Sequence, residues 1–163
     1  MAIPVYLWLK DDGGNPVRGS VDIRQREGSI EITALAHSVS LPTDDLSGKI
    51  TATRRHAPFI LTKTLDSSSP YLYRFVSSGK VLKSAELKFY RINYAGQEEE
   101  YFNVLLENAR FTCVVPLMED IQDPDYEHHD HLEVLEMSYE KITWKYLDGN
   151  IIHSDSWKER SAA

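Results

Sequence analysis

Two runs of side chains carry residue types that could do chemistry. Glu127-His128-His129-Asp130-His131 offers imidazoles and carboxylates, ordinary ligands for zinc or copper. Consecutive side chains in a loop diverge, whereas a working metal centre draws ligands from several elements onto one point. The run is read as an adventitious site at most, and neither a metal nor any other cofactor is expected. His153-Ser154-Asp155-Ser156 contains the residue types of a hydrolase triad, but neighbours in a strand alternate faces, and no Gly-x-Ser-x-Gly elbow is present. Asp12-Gly13-Gly14 reads as a hairpin turn rather than a phosphate loop, and His37 and His56 as hydrogen-bonded structural histidines. Cys113 is the only cysteine, so no intrachain disulfide can form, and its neighbours Phe111, Val114 and Val115 predict a buried, inert thiol. None of these groups favours an enzyme.

The elements that would position such residues are mostly strands. Val5, Leu7 and Leu9 alternate with Tyr6 and Trp8 in a strand from Ile3 to Leu9 that is apolar on both faces. A turn at residues 11–16 leads to a second strand from Val17 to Ile23, and residues 24–28 form another turn. One long strand is expected from Ser29 to Leu41, with Ile30, Ile32, Ala34 and Ala36 on one face and Glu31, Thr33, Leu35 and His37 on the other. The loop Pro42-Thr43-Asp44-Asp45-Leu46-Ser47-Gly48 is longer than a tight hairpin needs and is expected to project. Strands from Lys49 to Thr53 and from Phe59 to Leu65 follow, interrupted at Arg54 to Pro58.

Residues 66–80 announce the one helix. Ser69 is its expected N-cap, Pro70 its first residue and Gly79 its C-terminal stop. Leu72, Phe75 and Val76 form an apolar stripe that packs the helix on a β structure. Further strands follow, with turns at Asn93 to Gly96 and Asp148 to Asn150. Their apolar phase slips at Glu107-Asn108 and at Glu140-Lys141, as it does where a strand turns a corner in a barrel. The fold class is mainly β: an antiparallel barrel, or two packed sheets, with one short flanking helix.

The chain has 163 residues, 42% of them hydrophobic, enough for one core, and is read as a single domain over 1–163 with 158–163 a frayed tail. Its charge of −7 is interspersed, which argues against nucleic acid and membrane insertion. The opening MAIPVYLWLKDD lacks a basic segment and a long apolar run, so neither a signal peptide nor a span is expected. Synthesis and folding are expected in the cytoplasm, and any export requires a machine that handles a folded protein.

Several stretches together resemble the haemolysin-coregulated protein (Hcp) family of the bacterial type VI secretion system. They are Arg55-His56-Ala57-Pro58-Phe59, Lys63-x-x-Asp66 with Ser69-Pro70-Tyr71-Leu72, Gly96-Gln97 leading to Tyr101-Phe102, and His131-Leu132-Glu133. Tyr139-Glu140-Lys141-Ile142-Thr143-Trp144 then runs on to Asp148-Gly149-Asn150 and Asp155-Ser156-Trp157. The resemblance implies a structural tube protein: homohexameric rings that stack into a hollow tube, driven by contractile sheath proteins and tipped by a spike protein. It also implies secretion with effector proteins carried in the lumen, where the ring acts as receptor and chaperone. On that basis Pro42 to Gly48 is assigned to contacts between stacked rings, and Ala34, Ala36 and Ser38 to the lumen lining. Tyr6 and Trp8 are left either to a neighbouring subunit or to the protomer's own helix. Two other classes remain: a monomeric barrel with a ligand in its interior, and a hydrolase built on the histidine-rich loop.

Overall fold

A computed structural model describes residues 2–157. Strand β1 (Val5–Lys10) buries Val5, Leu7 and Leu9 in the core. On its other face Tyr6 is packed by Arg26 of the same chain and not by the helix. Tyr6 is only 2% exposed because the Arg26 guanidinium lies 4.8 Å from its ring and 4.3 Å from that of Tyr90, while pairing with Glu98. Such stacking suits a planar, weakly hydrated cation.

Strand β2 (Pro16–Val17) is all that forms of the expected second strand. The Gly19 N–H bonds Gly28 O and the Gly28 N–H bonds Val21 O, both at 2.9 Å, so the chain folds back on itself instead of extending. A Cβ on Gly19 would lie 2.4 Å from Ser29 O, which only glycine avoids.

The long strand expected from Ser29 to Leu41 is three short ones: β3 (Ile30–Ile32), β4 (Ala34–Ala36) and β5 (Val39–Ser40). At Thr33, whose N–H bonds Thr62 O at 2.9 Å, the facing parity changes. Ile30 and Ile32 are buried, whereas Ala34 and Ala36 are exposed and Leu35 turns inward, so the expected grouping of all four on one face is wrong.

The chain continues through β6 (Arg55–His56), β7 (Phe59–Thr64), α1 (Ser69–Ser78) and β8 (Leu82–Ile92). It ends in β9 (Glu98–Leu117), β10 (Leu132–Ser138), β11 (Lys141–Tyr146) and β12 (Ile151–Ser156). All pairings are antiparallel, in the order β2-β1-β8-β9-β10-β7-β4, with β11 on β9, β12 on β11 and β3 on β1. The ladder itself does not close. β3 joins β1 and β4 joins β7, and the covalent chain through Thr33 spans the gap between them.

Strand β9 serves both halves: residues up to Ala109 pair with β8 and β11, and those from Arg110 onward with β10. The corner falls at Asn108, with φ 51°, where the phase slip places it. Tyr139 and Glu140 make the second corner, between β10 and β11. A further bulge was not legible. Met137 faces Phe111 but Glu136 faces Cys113, so Thr112 is the extra residue. Val114 therefore packs inward, and Cys113 is half-buried on the outer face, not enclosed as the alternation suggested.

Helix α1 lies against β9, with Phe75 and Phe111 stacked at 6.4 Å. Leu72 and Phe75 are buried and Val76 packs at the core's margin. Its N-cap is Ser68 and not Ser69, and the C-cap Gly79 has φ 66° with its N–H on Phe75 O at 3.0 Å.

Candidate functional site

The strands β5 and β6 pair with each other and carry between them an extended loop, residues 41–54. Where a strand from Lys49 to Thr53 was expected, there is a single bridge, Thr43 to Ile50. The tip beyond it is ordered by its own backbone. Asp44 N–H bonds Lys49 O at 2.7 Å and Gly48 N–H bonds Asp44 O at 2.8 Å. The Asp44 carboxylate also accepts the N–H groups of Leu46 and Ser47 at 2.7 and 2.9 Å, and these bonds, that of Ser47 foremost, hold its pKa below the usual range. Gly48 has φ 71° with open space around it. Pro42 is half-buried at the base, whereas Thr43, Asp45 and Ser47 are exposed and Leu46 is 100% exposed. The loop thus presents an apolar side chain on a pre-formed turn.

A polar cluster clamps both roots of that loop to the sheets. His37 Nε2 and His56 Nδ1 each lie 2.7 Å from the Tyr139 hydroxyl. His56 Nε2 lies 2.7 Å from Asp155 Oδ2. Arg54 grips Asp155 with two nitrogens and gives a further bond to Ser156 O at 2.7 Å. Those Arg54 bonds keep the Asp155 carboxyl below its ordinary range, while burial raises the Tyr139 phenol well above its own. Burial, with His56 beside it, lowers His37. Phe59 stacks on His37 at 4.0 Å and Trp157 on His56 at 5.7 Å.

A second cluster anchors the helix. Lys63 and Glu133, both 0% exposed, form an ion pair across β7 and β10. Lys63 Nζ also reaches Asp66 Oδ1 at 3.0 Å and Ser69 Oγ at 3.2 Å, and Ser69 in turn donates to Glu133 Oε1 at 2.6 Å. Ser69 is thereby drawn inside the first helical turn, which explains why the cap falls one residue earlier. Glu133 Oε2 has no hydrogen-bond partner among the described residues.

The other sequence-predicted residues are scattered. Ala34, Ala36 and Ser38 are exposed, and across the same outer face Ala34 pairs with Thr62 and Ala36 with Ile60. Asp155 belongs to the root clamp, whereas His153 stacks on Trp144 and Ser154 bonds Thr143, so the triad residue types do not converge. In the histidine-rich run His128 sits 3.2 Å from Glu127 in an exposed turn, and the described residues hold no group of three potential metal ligands. The expected tail, 158–163, lies outside the described residues. Both polar clusters went unread in the sequence because their members are separated by up to 102 residues.

The described residues thus combine antiparallel sheets that bend into each other at Asn108, a flanking helix on a buried ion pair and a clamped external loop. Comparison with known proteins gives the class. Residues 6–146 match the family described as "Type VI secretion system effector, Hcp". The "Major exported protein" of Pseudomonas aeruginosa PAO1 is 35% identical over 167 residues, covering 97% of each chain. The structure of the Hcp1 protein from E. coli EAEC 042 is 59% identical, covering 96% of this chain and 99% of that one, with a TM-score of 0.87. The secreted protein Hcp3 of Pseudomonas aeruginosa is 25% identical over the same shares, with a TM-score of 0.78. The chain belongs to the Hcp family of type VI secretion system proteins.

Proposed function

We propose that this chain is a structural tube protein: homohexameric rings, stacked into a hollow tube that a sheath drives outward behind a spike, with effector proteins carried in the lumen. It works without catalysis, as one domain. The observation that supports this most is the extended loop, rigid at its roots and at its tip yet leaving Leu46 fully exposed. Ordering a loop costs conformational entropy, and the loop buries little of its own surface in return. A contact with another ring, made by Pro42 to Gly48, accounts for that expense. The exposed, small side chains of Ala34, Ala36 and Ser38 suit a lumen through which cargo must slide. The reading as a ligand-binding barrel gains no support, since Leu7, Leu61, Leu87, Leu106 and Leu135 fill the space between the sheets.

Ring stacking is tested by replacing residues 44–49 with Asn-Gly, which joins Thr43 directly to Ile50 through a two-residue hairpin turn. The β5–β6 pair and both clusters lie outside the excision, so protomer and ring are retained. Hexamers by native mass, with no tubes by electron microscopy and no secretion, are the expected outcome. Normal tubes and secretion from the shortened protein would move the stacking contact elsewhere, first to the acidic loop between β9 and β10.

A further inference from the structure

The hydrogen bonds at the loop roots have only certain consistent directions. With both histidines neutral, His56 must keep its proton on Nε2, facing the Asp155 carboxylate, so Nδ1 accepts the Tyr139 O–H. The phenol oxygen then accepts from His37 Nε2–H. One additional proton fits equally well. If His56 becomes an imidazolium, its Nδ1–H donates to Tyr139 and the phenol O–H turns round to His37 Nε2, which shifts its own proton to Nδ1. A second proton does not fit. Both imidazoliums would point N–H groups at one oxygen, leaving the phenol O–H, on a 4% exposed residue, without a hydrogen-bonded acceptor among the residues that clamp the roots.

The titratable and charged groups that meet here come from every element around the cluster. Among the described residues they are His37 after β4, Arg54 and His56 at the loop's return, Tyr139 at the β10–β11 corner and Asp155 on β12, with Arg110 of β9 and Glu140 lining the pocket beside Tyr139. Phe59 and Trp157 are the uncharged neighbours. We propose that the His37–Tyr139–His56 bridge is an acid-operated latch on the extended loop, holding both roots with zero or one extra proton and releasing them when both histidines are charged. Asp155 does not undo this first, because Arg54 keeps it ionised in mild acid. The second proton is resisted by burial around His37 and by His56 beside it, which puts release on the acid side of the ordinary histidine range. For the sign, His37 is depressed in the folded chain, so its contribution is present above the ordinary histidine value and lost as pH falls through the lowered one. The latch acts within the protomer, whether or not the loop meets another ring.

The reporter is the Ala57 amide, which bonds Ser38 O at 2.9 Å between the two roots. Its hydrogen exchange, corrected for intrinsic chemistry, is followed from about pH 7 down to about pH 4.5, across the histidine range. The opening constant is expected to rise roughly tenfold per pH unit once the second proton is being taken up. His37→Gln retains an N–H donor for Tyr139 but cannot be charged, and is expected to flatten that slope. A flat profile in the unmodified protein, or an equal slope in His37→Gln, would overturn the latch. Should the variant misfold, imidazole 15N shifts of the unmodified protein decide: protonation of His37 coincident with Ala57 opening supports the proposal, and both imidazoles charged with Ala57 still protected refutes it.

Discussion

Replacing Lys63 with Met tests how the helix is tied to the sheets. Lys63 is completely buried, and its ammonium meets Glu133, Asp66 at 3.0 Å and Ser69 at 3.2 Å. Methionine fills much of the same volume, so the cavity term is small and the loss is electrostatic. It leaves the Glu133 carboxylate at 0% exposure, with Oε1 still bonded by Ser69 and Oε2 unpartnered. Breaking one side of a buried pair typically costs about 3–5 kcal/mol, a large part of the roughly 5–15 kcal/mol that a domain has. Removing both charges in Lys63→Met/Glu133→Leu takes away the stranded carboxylate, so the double variant is expected to be more stable than Lys63→Met alone, by about 2 kcal/mol or more. Urea denaturation at one fixed protomer concentration, to hold any assembly term constant, gives all three values. A cost below about 1 kcal/mol for Lys63→Met, or a double variant no better than the single one, would refute the assignment of this pair as the helix anchor.

Four further substitutions probe the surrounding fold, three by the same denaturation assay and one by hydrogen exchange. Leu72→Ala is expected to cost about 2–5 kcal/mol and Phe75→Ala about 3–5 kcal/mol, because both fill the space between α1 and β9, and values under about 0.5 kcal/mol would mean the helix packs by another face. Gly19→Ala is expected to destabilise by about 1–3 kcal/mol, since the new methyl would sit 2.4 Å from Ser29 O and 2.7 Å from Ile30 Cγ1, and a neutral result would show that the 19–28 turn adjusts freely. Tyr139→Phe removes the hydroxyl shared by His37 and His56, and faster exchange of the Ala57 amide at neutral pH is the outcome that identifies Tyr139 as the hub of the roots.

What could be read in the sequence was what local pattern encodes. The helix announced itself through Pro70, the Leu72–Phe75–Val76 stripe and Gly79, and the corner at Asn108 through the phase slip in β9. The slips at Thr33 and Thr112 escaped because the residues on either side are small or apolar in both phases, so alternation continues on paper while the backbone turns over. Val17 to Ile23 looked extended because nothing local reveals that Arg26 will find Tyr6, Tyr90 and Glu98 far along the chain. The same distance hid the roles of His56 and Lys63. Several residues that carried the family resemblance, His56, Lys63, Asp66, Ser69, Glu133, Tyr139 and Asp155, belong to the two polar clusters, which His37 and Arg54 complete from outside those stretches. The proposed contact residues around Leu46 have no such partners to betray them.

A ring-forming tube protein should appear in native mass spectrometry, at micromolar protomer, at six times the 18.7 kDa chain. Only the 18.7 kDa protomer under those conditions would contradict it.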